Sequence, residues 1–175
     1  MARRYHLGFV RRTVNLVART ALRLGWAPRG LVLLTTRGRK SGLVRSTPAK
    51  MVELDGRRYL VAPYGDVGWV HNVRASGSAT VSRGRRSEQV AVTQVGPEEA
   101  ARVLQRYLDL EPMTRPFFEV RHDAPPEAFR AVAALHPAFR LSPASASTAR
   151  RLSRKGLLGS NPSPPAFYLR LCRRR

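Results

Sequence analysis

One cysteine, Cys172, is all that this chain of 175 residues contains, and it lies beside a terminal run of arginines. A lone thiol forbids an internal disulfide and any cysteine-rich metal site, so the expected setting is reducing or redox-indifferent. Histidine is nearly as scarce. His6, His71, His122 and His136 stand far apart and never at i, i+4 spacing, so no metal site is expected. No apolar stretch approaches the ~20 residues that a bilayer span requires. Arginine interrupts the N-terminal apolar positions at every turn, so no signal peptide is read there and a cytoplasmic location is expected. No Ser-His-Asp or Cys-His arrangement carries a local signature of nucleophilic catalysis. Carboxylates such as Glu98 and Glu99 look like helix starts. Chemistry, if the chain performs any, then belongs to a bound cofactor that the protein positions and polarises.

Acid is the other shortage. Eleven acidic residues face 32 basic ones, for a net charge of +21, and all eleven lie between Glu53 and Glu127. Residues 1–23 carry six arginines and residues 150–175 carry eight bases, with no acid in either stretch. The middle is therefore mildly basic, while the extremes are anion-seeking arms suited to nucleic acid or an anionic membrane face. Only Lys40, Lys50 and Lys155 are lysines; coding bias alone can set that preference, and it carries no functional weight.

What is present divides by period. Leu7, Val10, Val14, Val17, Ala21 and Leu24 recur at alternating spacings of three and four, the face of an amphipathic helix with Arg12, Arg19 and Arg23 opposite. Gly25 and Pro28 end it. Two uses fit: docking of the stripe on the domain, or peripheral contact with an anionic membrane at its inner face. From Leu31 the period shortens. Leu31–Thr36 reads as a buried strand, and Val44–Leu54 as a second, with Pro48 marking an edge or bulge. Asp55-Gly56 is a hairpin turn, followed by a strand over Arg58–Pro63. Ala79–Ser82 and Ser87–Val95 form a further hairpin across Arg83-Gly84. Five strands with tight turns predict an antiparallel sheet curling into a small barrel. Pro97-Glu98-Glu99 opens a helix running to Leu110, and Pro125-Pro126-Glu127 opens another that ends before Pro137. Residues 143–175 read as a Ser/Pro-rich linker and basic tail, within which Ala166–Leu171 suits either a strand or a sticky tail.

Two clusters suggest a ligand. The turn Arg37-Gly38-Arg39-Lys40-Ser41-Gly42, with Arg45, Ser46 and Thr47 after it, gathers cations, hydroxyls and glycine-permitted amides at one rim. A phosphate or carboxylate needs that combination. A solvated basic hairpin tip would look the same. The order is neither a P-loop nor a dinucleotide fingerprint. The second cluster runs Gly65-Asp66-Val67-Gly68-Trp69-Val70-His71-Asn72, a glycine-rich turn entering a helix that carries Trp, His and Asn. Those groups suit stacking on, and edge hydrogen bonds to, a planar heterocycle. Taken alone, the same residues describe a core Trp with satisfied polar neighbours.

Taken together, the two clusters resemble a family. The order Thr-Thr-Arg-Gly-Arg-Lys-Ser-Gly-x-x-Arg-Ser-Thr-Pro from Thr35, then the Asp-Gly hairpin, then Tyr64-Gly65, then Trp-Val-His-Asn-Val-Arg-Ala-Ser-Gly from Trp69 resembles the deazaflavin-dependent nitroreductase and quinone reductase family. The likeness spans about Gly30 to Val95 and continues more loosely to His136–Leu141. It implies a mainly β fold with flanking helices (α+β), a split β-barrel of the FMN-binding type preceded by the N-terminal helix. It also implies coenzyme F-420 as cofactor, rather than FMN or FAD, and a quinone, nitroaromatic or similar conjugated acceptor. By position, Arg39, Lys40, Ser41, Arg45, Ser46 and Thr47 hold the phosphate and acidic tail. Pro48, Ala49 and Lys50 with Ala62, Pro63 and Tyr64 line the approach to the ring. Gly68, Trp69, His71 and Asn72 border it. Residues Glu111 to Phe118 lack the tyrosine-rich pattern of the best-known branch, and no catalytic residue is assigned.

The expected organisation is an N-terminal helix over 1–28, a barrel over 29–142 and a tail over 143–175. The competing function is a non-enzymatic nucleic-acid-binding protein driven by the two arginine arms. Poor aromatic interleaving in the arms argues against base stacking.

Overall fold

The structure, a computed structural model, describes residues 30–144. The expected N-terminal helix, the basic tail and the Ala166–Leu171 stretch lie outside the described residues. Six strands follow in order: β1 (Leu31–Arg37), β2 (Val44–Leu54), β3 (Arg57–Val61), β4 (Ser78–Arg83), β5 (Arg86–Gln94) and β6 (Ala138–Pro143). Helix α1 (Gly68–Ser76) joins β3 to β4. Helix α2 (Pro97–Leu110), a 3-10 helix over Pro112–Phe117 and α3 (Pro126–Val132) lie between β5 and β6. No helix among the described residues is long and apolar enough to cross a membrane.

Alternation along the strands decides what the barrel encloses. Val32 and Leu34 of β1, Leu60 of β3, Val81 of β4, Val92 of β5 and Phe139 of β6 share one buried cluster with Trp69 and Val70 of α1. The opposite faces of β2 and β3 present Val52, Tyr59 and Val61 to a second cluster with Val103, Leu104 and Phe129 of the flanking helices. That second cluster is why α2 has an apolar stripe at all. The Tyr59 hydroxyl donates to Glu99 at 2.7 Å, fixing α2 against β3. The sheet closes in the order β1-β2-β3-β6-β5-β4, every pairing antiparallel. This is the split barrel the resemblance implied.

β6 is the strand the sequence pattern did not mark. It begins directly after Pro137, carries Arg140 at its centre and pairs only with distant partners, Leu60 opposite Phe139 and Val92 opposite Leu141. Without it, β3 and β5 would both be open edges. The Asp55-Gly56 turn is as expected, with φ of 51° and 68°, the left-handed values a tight primed turn needs.

One stretch of the barrel is only half paired. Leu31 to Arg37 of β1 face Lys50 to Val44 of β2, but β2 meets β3 only from Met51 to Leu54. The first half of β2, Pro48 included, thus has a partner on one side alone, as its proline suggested. On the other side the two strands diverge, and a seam opens between them.

Candidate functional site

The seam is a cleft of about 860 Å³. One wall is β2 and the turn before it; the other is the segment after β3 and the start of α1; the end of α2 closes it. Because the cleft runs along an open strand edge, residues of both faces of β2 line it, all seven from Val44 to Lys50.

The turn between β1 and β2 forms the outer rim. The Gly38 amide donates to the Leu43 carbonyl at 2.8 Å, and the Gly42 amide to the Gly38 carbonyl at 2.8 Å. Gly42 has φ of 67°, and a Cβ on Gly38 would meet Ser41 Oγ at 2.7 Å. The left-handed φ requires glycine at 42, while a side chain at 38 would need Ser41 to turn aside. The turn leaves Arg39, Lys40, Ser41 and Arg45 exposed along the cleft. Among the described residues none of Arg39, Lys40 and Arg45 forms a salt bridge. Among the described residues Glu111 is the one acid lining the cleft, and it is paired with Lys50. The rim therefore presents uncompensated positive charge.

Asn72 joins the two sequence clusters. Its Nδ2 donates to Thr36 Oγ1 at 3.1 Å, and its Oδ1 accepts the Arg39 backbone N–H at 3.2 Å. The α1 cluster thereby holds the basic turn against the barrel. Trp69 belongs to both readings made of it: it is 8% exposed, packs edge-on to Phe139 with centroids 5.5 Å apart, and still lines the cleft. Ser46 is engaged with Thr35, hydroxyl to hydroxyl at 2.9 Å.

Of the residues singled out from sequence, the cleft gathers Arg39, Lys40, Ser41, Arg45, Ser46, Thr47, Pro48, Ala49, Lys50, Pro63, Tyr64, Gly68, Trp69 and Asn72. Ala62 and His71 stand back from it. Ala62 is wholly buried among the barrel's apolar side chains, and His71 is half-buried on α1. Three residues that sequence reasoning missed are Tyr107 and Glu111 from the end of α2 and Thr114 from the 3-10 helix. Glu111 and Thr114 fall in the segment noted for lacking the tyrosine pattern, while Tyr107 lies on the expected helix and carried no separate signal. Burial, with Glu111 and Tyr64 nearby, pushes the Tyr107 phenol well above its ordinary range, while a hydrogen bond with Thr114 pulls the other way. The group stays a neutral phenol. No cluster of metal-ligating side chains occurs among the described residues.

Comparisons with known proteins meet this geometry. A family model described as F420H(2)-dependent quinone reductase matches residues 4–116. Among solved structures, a chain described as an F420-H2 dependent reductase (FDR-A) is 24% identical, with 65% of this chain and 95% of that one covered and a TM-score of 0.48. A chain described as a domain-swapped dimer is 22% identical over 77% and 97%, with a TM-score of 0.49. A NimC/NimA family protein from Clostridium acetobutylicum is 12% identical over 72% and 82%, with a TM-score of 0.45. No curated protein matches significantly.

Proposed function

The chain belongs to the F420H(2)-dependent quinone reductase family, and from that premise we propose that it reduces a quinone, nitroaromatic or similar conjugated acceptor within the β2 seam. It is an F420-dependent oxidoreductase, with coenzyme F420 as its cofactor. The donor set fits such a group. A long ligand with a planar head and an anionic tail needs an elongated cleft with cations at one end and flat, hydrogen-bonding surface further in. The cleft offers Arg39, Lys40 and Arg45 at its rim and Trp69 with Asn72 inside. That single gradient, uncompensated charge leading to a ring-sized apolar wall, carries the reading.

When bound, the deazaflavin supplies the hydride. The chain's own residues bind and orient. Arg39, Lys40 and Arg45 neutralise the phosphate and acidic tail, with Ser41, Ser46 and Thr47 as hydroxyl donors. Pro48, Ala49 and Lys50 on one wall, with Pro63 and Tyr64 on the other, limit water beside the ring. Gly68 and Trp69 border the ring itself. Asn72 acts by fixing the turn.

Titration of the purified protein into oxidised F420, followed by fluorescence, tests this. Micromolar binding is expected, weakened about tenfold by Lys40→Ala or Arg45→Ala and weakened further for all forms as salt rises. Absence of binding at micromolar concentration would sink the proposal.

A further inference from the structure

Leu33 is buried on the wrong side of its strand. Val32 and Leu34 point into the barrel cluster, so alternation turns Leu33 and Thr35 outward. Leu33 is nevertheless 6% exposed, and it belongs to neither buried cluster. It stands opposite Pro48 on β2 and Ser82 on β4, while Thr35 stands opposite Ser46 and Thr80. Ser87 and Gln89 continue these two rows onto β5. Thr35, Thr80 and Ser82 are half-buried, whereas Ser87 and Gln89 are exposed. A leucine flanked by a proline and a serine loses its water only under a cover. That cover lies over β1 and β4 and stops short of β5. The described helices do not supply it: α1 meets β1 from the barrel interior through Trp69 and Val70, and α2 lies over β2, β3 and β6.

We propose that the outer face of β1 and β4, centred on Leu33, is the seat of the N-terminal apolar stripe Leu7, Val10, Val14, Val17, Ala21 and Leu24, which therefore docks on the barrel and not on a membrane. The chain meets this face first. Gly30 directly precedes β1, and its carbonyl accepts the Met51 amide at 2.7 Å, which fixes the point of entry. Its φ of 80° is one that glycine adopts without strain. As a helix the stripe is about 26 Å long at 1.5 Å per residue, and β1 spans about 23 Å, so the two match. The six residues from 25 to 30 reach up to about 20 Å, enough to turn the stripe back over the strand. The seat's Ser, Thr and Leu residues carry no charge. They offer an apolar stripe nothing to desolvate at great cost, and Arg12, Arg19 and Arg23 opposite the stripe stay in water. The family match begins at residue 4 and so takes in the stripe together with the barrel.

The test uses the full chain with Cys172→Ser, so that introduced thiols are the only ones. Ser82→Cys is combined with Val10→Cys, Val14→Cys or Val17→Cys on the stripe, or with Arg12→Cys or Arg19→Cys opposite it. Under oxidised glutathione, the fastest stripe pair should close an intramolecular disulfide at least about tenfold faster than either opposite pair, because only seated thiols come within bonding reach. Trypsin supplies a second readout without new thiols. Cleavage after Arg12, Arg19 and Arg23 should be slow in wild type and about tenfold faster in Leu33→Asn, whose polar group opens the seat. Cleavage after Arg85, in the exposed turn between β4 and β5, should change less than about twofold in the same protein. Ser82→Arg, which sets a charge on the same face, stands in if Leu33→Asn does not fold. Equal crosslinking from both sides of the stripe overturns the proposal, as do tryptic rates indifferent to both seat variants. Crosslinked dimers would put a second copy on the face and also overturn it. So would flotation of the wild type with phosphatidylglycerol vesicles that Val14→Asn abolishes while no disulfide forms, since the stripe would then sit in lipid.

Discussion

Asn72 is the residue on which the two halves of the cleft meet. Its amide both donates to Thr36 and accepts from the Arg39 amide, and it is 6% exposed. Removing it leaves the buried Thr36 hydroxyl without this partner, which costs about 1–3 kcal/mol. Asn72→Ala should lower the free energy of unfolding by that amount in urea titration and also weaken F420 binding by loosening the basic turn. A variant as stable as wild type and equal in affinity would show that the turn holds itself. Sequence reasoning singled out Asn72 by its side-chain type. Its type suggested an edge hydrogen bond to a heterocycle, whereas its partners in the structure are protein groups more than thirty residues upstream. Such partners are invisible until β1 and α1 are packed. Trp69 teaches the converse: the core and cleft readings looked like rivals, and a side chain at a helix start facing a split sheet satisfies both.

Among elements, β6 is the one that closes the barrel, and His136 sits at its entry. Its Nδ1–H donates to the Pro63 carbonyl at 3.0 Å, and its ring stacks on Phe118 at 3.9 Å. The approach to β6 is thereby tied to the segment that lines the cleft. Burial lowers the His136 pKa below its ordinary value, against the opposing effects of the Pro63 carbonyl and Glu119. The unfolded chain then binds this proton more readily than the folded one. Stability is accordingly full above about pH 6.5, the unfolded value, and falls as pH drops below it. Thermal melts between pH 7.5 and 5 should show that slope, and His136→Phe, which keeps a ring against Phe118, should flatten it. An equal slope in both would place the titrating group elsewhere. Five strands and the helix from Pro97 to Leu110 were legible because turns and apolar period mark them locally. β6 was not, because its stability comes from two distant neighbours rather than from its own six residues. The same holds for Glu111, which only the fold of α2 back onto β2 brings to the cleft.

At the scale of the whole molecule, charge is sorted rather than merely excessive. Described acids are drawn into pairs away from the rim: Glu88 with Arg58, Asp66 with Arg74, Glu98 with Arg130. What remains at the turn before β2 is cation that no described acid answers, so the excess charge is concentrated at one rim. The seam beside that turn has a further consequence. A sheet edge whose amides and carbonyls lack a partner strand is a template for another chain. Here the edge is flanked by Leu43 and Val44, 61% and 65% exposed. A cofactor lying in the seam caps that edge, and Pro48 breaks its row of donors at the centre. Pro48→Val restores the missing N–H and adds a strand-favouring side chain. Light scattering at rising concentration should therefore show aggregation of Pro48→Val without F420, and its suppression when F420 is added. Equal scattering from both proteins would mean that the edge is harmless. On the proposed reading, the opening that would admit the cofactor is thus also an edge that the empty protein offers to its own copies, with a single proline interrupting it.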